Sequence, residues 1–512
     1  MKKIAMLKSI KGSIKALSLV FCLGILYIPV FSEIIIYPGP KGEINSKDFY
    51  VTVNGRNLFT YQARVSAMPV NQVWPGYQRP VEQTELASFA TFDTDENVMI
   101  QIKSTEEVKN VVIRPQSYNI KPIVKGNIIS FKINKACQLV VEVNGWHKAL
   151  HLFVNPIEIN KPKPTDKGVL YFGPGIHNPG IITAKDNQTI YVAGGAVVHG
   201  VIIAEKIKNL KISGRGIIDA SSFSRSDSKN IISINRCENT SVDGVILRDA
   251  DVWTLLVNQS RYITINNIKL IGLWRYNADG IDIVNSRNVI VENSFVRSFD
   301  DNLVLKGWSN NKDKNDDYIT VTSDIKFNNC VLWNDWGRAL EIGAETALDS
   351  IYNITYTNCD IIHYVHIAMD IQNGDRAYVS NILYQDIRVE EPLVDDCYFD
   401  DSKNPLKNKR NMEKYSPAHK YTGDELGHLF DLNIRQNPYS QDTIRGYIEK
   451  VTFKNIKYNS DHKPISFFEG FSDEHAIKNI FFENVYINGT KIKDELKGNF
   501  IIKNFVRNLT FK

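Results

Sequence analysis

The chain has 512 residues, of which 43% are hydrophobic, and a net charge of only +4. That length exceeds one ordinary globular core, so it asks for two domains or for one long repetitive domain with an accessory module. So small a charge, without a concentrated basic stripe, excludes nucleic acid as an expected partner, and frequent Asn, Val, Ile, Tyr and Phe favour strands and turns over helices.

At the N-terminus, Lys2, Lys3, Lys8, Lys11 and Lys15 precede an apolar run from Ala16 to Val30, with the small Ser32 after it. This is the pattern of an export signal. Residues 1–32 are therefore expected to be a signal peptide, with the mature chain beginning near Glu33 and working outside the cell or in the periplasm. A membrane anchor is the alternative, but a run of about fifteen residues is shorter than the roughly 20 that span a bilayer, so no span is expected in the mature chain. The flanks of Cys22 do not resemble a lipoprotein box. Beyond the signal, Cys137, Cys237, Cys330, Cys359 and Cys397 show no CxxC spacing, and neither metal nor cofactor is expected. Cys330 and Cys359 hold equivalent places in successive repeats and read as stacked thiols rather than a disulfide.

From Glu33 to about residue 160, short alternating runs separated by Asn-Gly turns read as a small β-sandwich: Phe49–Val53, Val98–Ile102, Val111–Ile113, Ile128–Phe131 and Leu139–Val143. Pro156 to Asp166 follows as a linker, because Pro162 and Pro164 cannot serve a sheet interior.

Residues 167–512 repeat. Aligned units begin at Asn187, Lys208, Glu238, Arg261, Arg287, Asp324, Tyr352, Ser380, Glu449, Lys478 and Arg507, mostly 21 to 30 residues apart. Each carries two or three alternating strands divided by Asn, Gly or Asp. No single unit can bury its apolar face alone, so the units must stack into a solenoid. The leucine-and-asparagine consensus of leucine-rich repeats is missing and no helix recurs, which leaves an all-β, right-handed parallel β-helix preceded by the β-sandwich. Ser309 to Asp317 and Asp400 to Leu429 interrupt the rhythm as loops, the first placed to wall a cleft. Asp395, Asp396, Asp400 and Asp401 read as a solvated acidic loop rather than a calcium site.

The chemistry concentrates in Asn277-Ala278-Asp279-Gly280 and, 21 residues after Asp279, in Asp300-Asp301. Each precedes a short apolar strand, so stacking should bring three carboxyl groups together. Like charges that close cannot all ionise, and at least one remains protonated near neutral pH. The expected roles are Asp300 as general acid, with Asp279 and Asp301 holding and deprotonating a water, in an inverting geometry with carboxyl groups about 6.5–9.5 Å apart. For a lone Asp-Gly, a simple turn is the better reading; three aligned acids are harder to dismiss.

These residues resemble the clan of glycoside hydrolase family 28 (polygalacturonases, rhamnogalacturonases) and family 49 (dextranases, isopullulanases). Asn277-Ala278-Asp279-Gly280 is similar to the family 28 Asn-Thr-Asp-Gly motif, Asp300-Asp301 to its Asp-Asp motif, and Lys306-Gly307 sits where that family has a lysine. A β-sandwich ahead of a β-helix resembles family 49. The resemblance implies the acid and base roles just given and a polysaccharide or oligosaccharide substrate. There are departures: Gly337-Arg338-Ala339 stands where family 28 has Gly-His-Gly, and Asp370-Ile371-Gln372 where polygalacturonases carry Arg-Ile-Lys for the substrate carboxylate. This argues for a neutral, dextran-like glucan, or for cations supplied by Arg338 and Arg376. Asn277, Lys306, Arg338, Asp370, Gln372 and Arg376 are thus expected to bind substrate. Trp274, Trp308 and Trp336, nearest the acids among several aromatic residues, are expected to form sugar platforms, and Glu341 and Glu345 to add polar contacts. A pectin hydrolase, a lyase with a calcium cage and a basic catalyst, and a non-catalytic carbohydrate-binding β-helix are the alternatives; oligomeric state is not legible.

Overall fold

Asparagine shapes this fold more than any other residue. In a computed structural model describing residues 33–68, 77–309, 318–393 and 427–512, almost every repeat turns its corner on a residue with positive φ. Asn187, Asn209, Asn239, Asn288, Asn353, Asn381, Asn479 and Asn508 do so at one corner, and Asn267, Asn293, Asn329, Asn358, Asn455 and Asn484 at a second. Asn tolerates the left-handed region better than other side chains that carry a Cβ. Its amide also bonds to its counterpart on the next coil, as Asn209 Nδ2 does to Asn187 Oδ1 (2.8 Å) and Asn329 Nδ2 to Asn293 Oδ1 (2.7 Å).

The coils give three parallel strand ladders. The first is a 12-stranded sheet from Val169–Phe172 to Val506–Phe511, containing every aligned unit read from the sequence. The other two form one 21-stranded sheet that bends between faces. A second face runs through Ile217–Asp219, Ile246–Arg248, Lys269–Ile271, Phe295–Ser298 and Val331–Asn334. A third runs through Ile281–Val284, Leu303–Gly307, Arg338–Thr346, Ile367–Asn373, His428–Ile434 and Ile465–Glu469. Inward residues make one continuous apolar core, with an aromatic stack through Phe327, Tyr356, Tyr384, Phe453, Phe482 and Phe511 at 4.7 to 5.3 Å between successive rings. Cys330 and Cys359 lie in this core as free thiols.

Ahead of the solenoid, a six-stranded and a five-stranded sheet of largely antiparallel strands enclose a core of their own. Their last strand, Leu150–Asn155, ends just before the proline-bearing linker. The sandwich packs on the second face of the solenoid: Tyr61, Phe89, Trp146 and Phe153 share a cluster with Ile217, Ile246, Phe295 and Trp333. Buried ion pairs cross the same seam, including Arg114 with Glu390 (2.7 Å), Arg215 with Asp93 (3.2 Å) and Arg248 with Glu43 (2.7 Å). Residues 33–512 are accordingly one compact unit. The all-β reading, with a right-handed parallel β-helix behind a small sandwich, describes this architecture.

The expected signal peptide with Cys22, residues 310–317 of the shorter insertion, Cys397, the acidic group Asp395, Asp396, Asp400 and Asp401, and most of the longer insertion lie outside the described residues. No described helix is long and apolar enough to cross a membrane.

Candidate active site

On the third face, inward and outward residues alternate as the pleat requires. Ile281 and Ile283, Leu303 and Leu305, Leu340 and Ile342, and Met369 and Ile371 enter the core. Between them, register puts Asp282, Val304, Glu341, Asp370 and Asp431 in one outward row, with Lys306 beside Val284 in the next. Asp300 and Asp301 occupy the turn entering Leu303–Gly307, and Asn277 and Asp279 the turn one coil earlier.

That acidic turn is rigidly held. Ser298 Oγ donates to the carbonyl oxygens of Asp300 (2.6 Å) and Asp301 (3.1 Å), Asn334 Nδ2 donates to Asp300 O (2.7 Å), and Asn302 Nδ2 ties Ser298 Oγ to Trp333 O. Asp301 Oδ1 accepts the backbone N–H of Arg338 (3.0 Å). Gly337 lets the next coil come this close.

Two cations sit among the carboxyl groups. Lys306 Nζ lies 3.4 Å from Glu345, 3.7 Å from Asp279 and 3.8 Å from Asp301, and 4.9 Å above the Trp253 ring. Arg338 reaches Asp370 (3.4 Å), Asp301 (3.7 Å) and Glu341 (3.9 Å). Two positive charges cannot balance so many buried carboxylates, so protons are retained. Burial, then the neighbouring acids Asp282 and Asp300, hold Asp279 well above the usual range; burial does the same for Asp282 against the pull of Lys306. Burial raises Glu341 and Asp370 too, with Asp301 and Asp431 as the respective like-charged neighbours. Asp300 is pushed up to about 7 by burial and by Asp301. Asp301 alone among these six goes down: burial opposes its charge, but Arg338, a hydrogen bond with Glu341, Lys306 and the Arg338 N–H outweigh it. The result is an anion beside an acid poised near neutrality, the division of roles that general acid and base chemistry requires.

A cavity of about 840 Å³ opens over this group, lined by Asn277, Asp300, Asp301, Lys306, Arg338 and Glu341 around the acids and continuing past Gln372, His428 and Arg435 to Phe467 and Lys503. A larger hollow, about 1070 Å³, lies on the sandwich around Asn54, Tyr118 and Lys132 and gathers no carboxyl group. Among the described residues, no three or more His, Cys, Asp or Glu are arranged to hold a metal ion.

The expected site residues divide into two sets. Asp300, Asp301, Asn277, Lys306, Arg338 and Gln372 line the cavity. Asp279 does not: it is 0% exposed, behind Lys306, with Asn277 Nδ2 donating to its Oδ1 (3.3 Å). Asp370 is likewise fully covered, beneath Arg338. Arg376 points elsewhere and pairs with Asp442 (2.6 Å). Trp274 donates to Asp249 under Arg275, and Trp336 is buried in the seam with the sandwich. Trp308 stacks at 5.8 Å on Trp253, which faces the cavity. Asp300 and Asp301 are in side-chain hydrogen-bond contact, closer than the spacing of about 6.5–9.5 Å associated with inversion.

A model of glycosyl hydrolases family 28 matches residues 179–410. A dextranase of Arthrobacter globiformis is 21% identical over 266 residues, 46% of this chain and 39% of the relative. A probable polygalacturonase of Arabidopsis thaliana is 22% identical over 184 residues, 35% of this chain and 38% of the relative. The chain is thus similar, over less than half of its length, to glycosyl hydrolases family 28 and to a dextranase. Its match spans about two-fifths of the length of these curated relatives. The solved structure of Dex49A from Penicillium minioluteum shares the fold of this chain with a TM-score of 0.64 and 15% identity, covering 93% of this chain and 96% of that one.

Sequence reasoning missed several residues of the candidate site. Asp282 shares a hydrogen bond with Asp279; its place between two core isoleucines, outward on the acid-bearing strand, was the available signal. His428, Asp431 and Arg435 extend the cavity, but the insertion ahead of them hides their coil's alignment. Tyr276 lines the cavity and stacks at 5.4 Å on Tyr77 of the N-terminal region, a contact between distant segments that no local pattern announces.

Proposed function

We propose that this chain hydrolyses α-glycosidic bonds of a neutral, dextran-like glucan, with Asp300 as general acid and Asp301 as general base. The observation that carries the reading is the pair itself: a carboxyl group held near neutrality beside an anionic one, both on the cavity wall. Asp300 protonates the leaving oxygen while Asp301 takes a proton from the water that attacks the anomeric carbon. Asp279, protonated behind Lys306, serves from the second layer by fixing that lysine against Asp301.

Neutrality of the sugar follows from charge balance. Lys306 and Arg338 each face three carboxyl groups already, so neither is available to a uronate beside the acids. At Asp370, where polygalacturonases carry a cation, this chain has a covered carboxyl group that burial keeps protonated. The dextranase relative agrees with this choice. A pectin hydrolase is the second reading, favoured by Arg435 and Lys503, exposed cations farther along the same wall. Inversion rests on the resemblance to the clan, and it requires that a substrate oxygen part Asp300 from Asp301. Export to the periplasm or the outside rests on the basic and apolar pattern of residues 1–32.

The test is turnover of dextran, pullulan, polygalacturonate and rhamnogalacturonan by the purified protein, followed by product size. Dextran cleavage lost in Asp300→Asn with glucan binding retained supports the proposal. Unchanged turnover by that variant, or action confined to polygalacturonate, overturns it.

A further inference from the structure

Glu341 presents a problem that its surroundings solve in only one way. It is 1% exposed, yet it lines the cavity, and neither carboxylate oxygen receives a hydrogen from any N–H or O–H donor. Its register neighbour on the preceding coil is the apolar Val304, and on the following coil Asp370, another acid. Its side chain is in hydrogen-bond contact with Asp301. Two ionised carboxylates are acceptors only, so such a contact needs one proton between them.

The surroundings decide which partner keeps it. Asp301 receives the Arg338 N–H at 3.0 Å and has Lys306 and the Arg338 guanidinium at 3.8 and 3.7 Å. Glu341 makes one ion pair, to the Arg338 Nε at 3.9 Å, with Lys306 acting on it from farther away and Asp370 next to it in the row. The other charged groups around the pair are Asp300 in the turn, Glu345 on the strand of Glu341, and Asp282 and Asp279 on the earlier coil; from the interior, Tyr356 Oη donates to the Glu341 carbonyl oxygen (3.0 Å). None of these supplies Glu341 with a second cation.

We propose that Glu341 is a positioning residue for Asp301: its neutral carboxyl group donates a hydrogen bond to the Asp301 carboxylate, which fixes that carboxylate toward the attacking water and keeps it ionised. The idea rests on Asp301 being the base of the proposed hydrolysis. It deepens that reading, because it makes the base part of a proton-sharing pair on adjacent coils. The opposite directions in which the two groups are displaced from their ordinary ranges agree with this placement.

Two variants and two readouts test it. Glu341→Gln keeps an uncharged donor, Glu341→Ala removes it, and circular dichroism establishes that both fold. On dextran, Glu341→Gln is expected to stay within about tenfold of the parent in kcat, the worth of one altered hydrogen bond. Glu341→Ala is expected to lose about 100-fold in kcat, with KM little changed, as a carboxylate loses its aim. The acid limb of its pH profile should also move upward by about one unit as Asp301 loses a donor. Infrared difference spectra of parent against Glu341→Gln at neutral pH should show one protonated-carboxyl band missing in the variant, a readout independent of turnover. Equal loss in Gln and Ala variants, an unchanged Ala variant, or no missing band overturns the proposal. An Asp301→Asn variant that retains full dextran turnover would instead sink the base assignment, leaving the infrared result to judge the proton's place by itself.

Discussion

Gly337 rests directly on Asp301: a Cβ built at this glycine would come within 2.6 Å of Asp301 Oδ1, and within 2.7 Å of Asp300 Oδ1. No other residue type fits without displacing both acids. Gly337→Ala is therefore expected to reduce kcat by about 100-fold or more through misplacement of the pair, while the unfolding midpoint shifts little because the change lies in a turn at the cavity. Activity assays beside thermal unfolding check this, and full activity in the variant would contradict the contact.

The pH profile follows from the two displaced groups. Asp300, pushed up to about 7, must be protonated to act, so kcat/KM should be flat below that value and fall tenfold per unit above it. Asp301, held below the usual carboxylate range, must be ionised, so activity should persist to acid pH before falling. A rate that rises through neutrality would exchange the two roles.

The anomeric configuration of the first product discriminates between single and double displacement. Inversion at an α-linkage releases the β-anomer first, visible by proton NMR within the first turnovers, before mutarotation. An α-anomer would mean that one acid of the touching Asp300–Asp301 pair attacks carbon directly.

The seam between sandwich and solenoid should be sensitive at Arg114. Its guanidinium joins Glu142 (3.0 Å) and Glu390 (2.7 Å), all with side chains no more than 6% exposed. Removing one partner of a buried pair costs about 3–5 kcal/mol, so Arg114→Leu should lower the unfolding midpoint clearly. The two acids respond oppositely to pH. Glu142, held at about 2 by His363 and then Arg114 against burial, contributes stability that is present above the ordinary glutamate range and lost as pH falls toward 2. Glu390, raised to about 7 by burial against Arg114, contributes stability that is present below the ordinary range and lost as pH rises toward 7. An unaltered midpoint in the variant would show that apolar packing alone holds the seam.

Much of the candidate site was legible in the sequence because a solenoid converts spacing into adjacency. Asp300 lies one short coil beyond Asp279, and parallel pairing of Ile281–Val284 with Leu303–Gly307 makes the two turns neighbours. Lys306 was legible through the resemblance to family 28 rather than through spacing. The aromatic residues were not: Trp274 stands closer along the chain to an acidic turn than Trp308 does, yet it and Trp336 turn into other contacts. Nearness along the chain does not say on which side of a turn a large ring finds apolar surface.

The sequence by itself determined the repeat, the Asn corners, the sandwich strands and the acids, all consequences of local conformational preference and of periodic burial. Tertiary structure decided which acids are reached by solvent, that Asp279 lies behind Lys306 while Glu341 meets Asp301, and which carboxyl groups keep their protons. Those properties depend on burial and on charges contributed by coils far apart in the chain, and the energy of a buried charge is set by everything around it rather than by its neighbours in sequence.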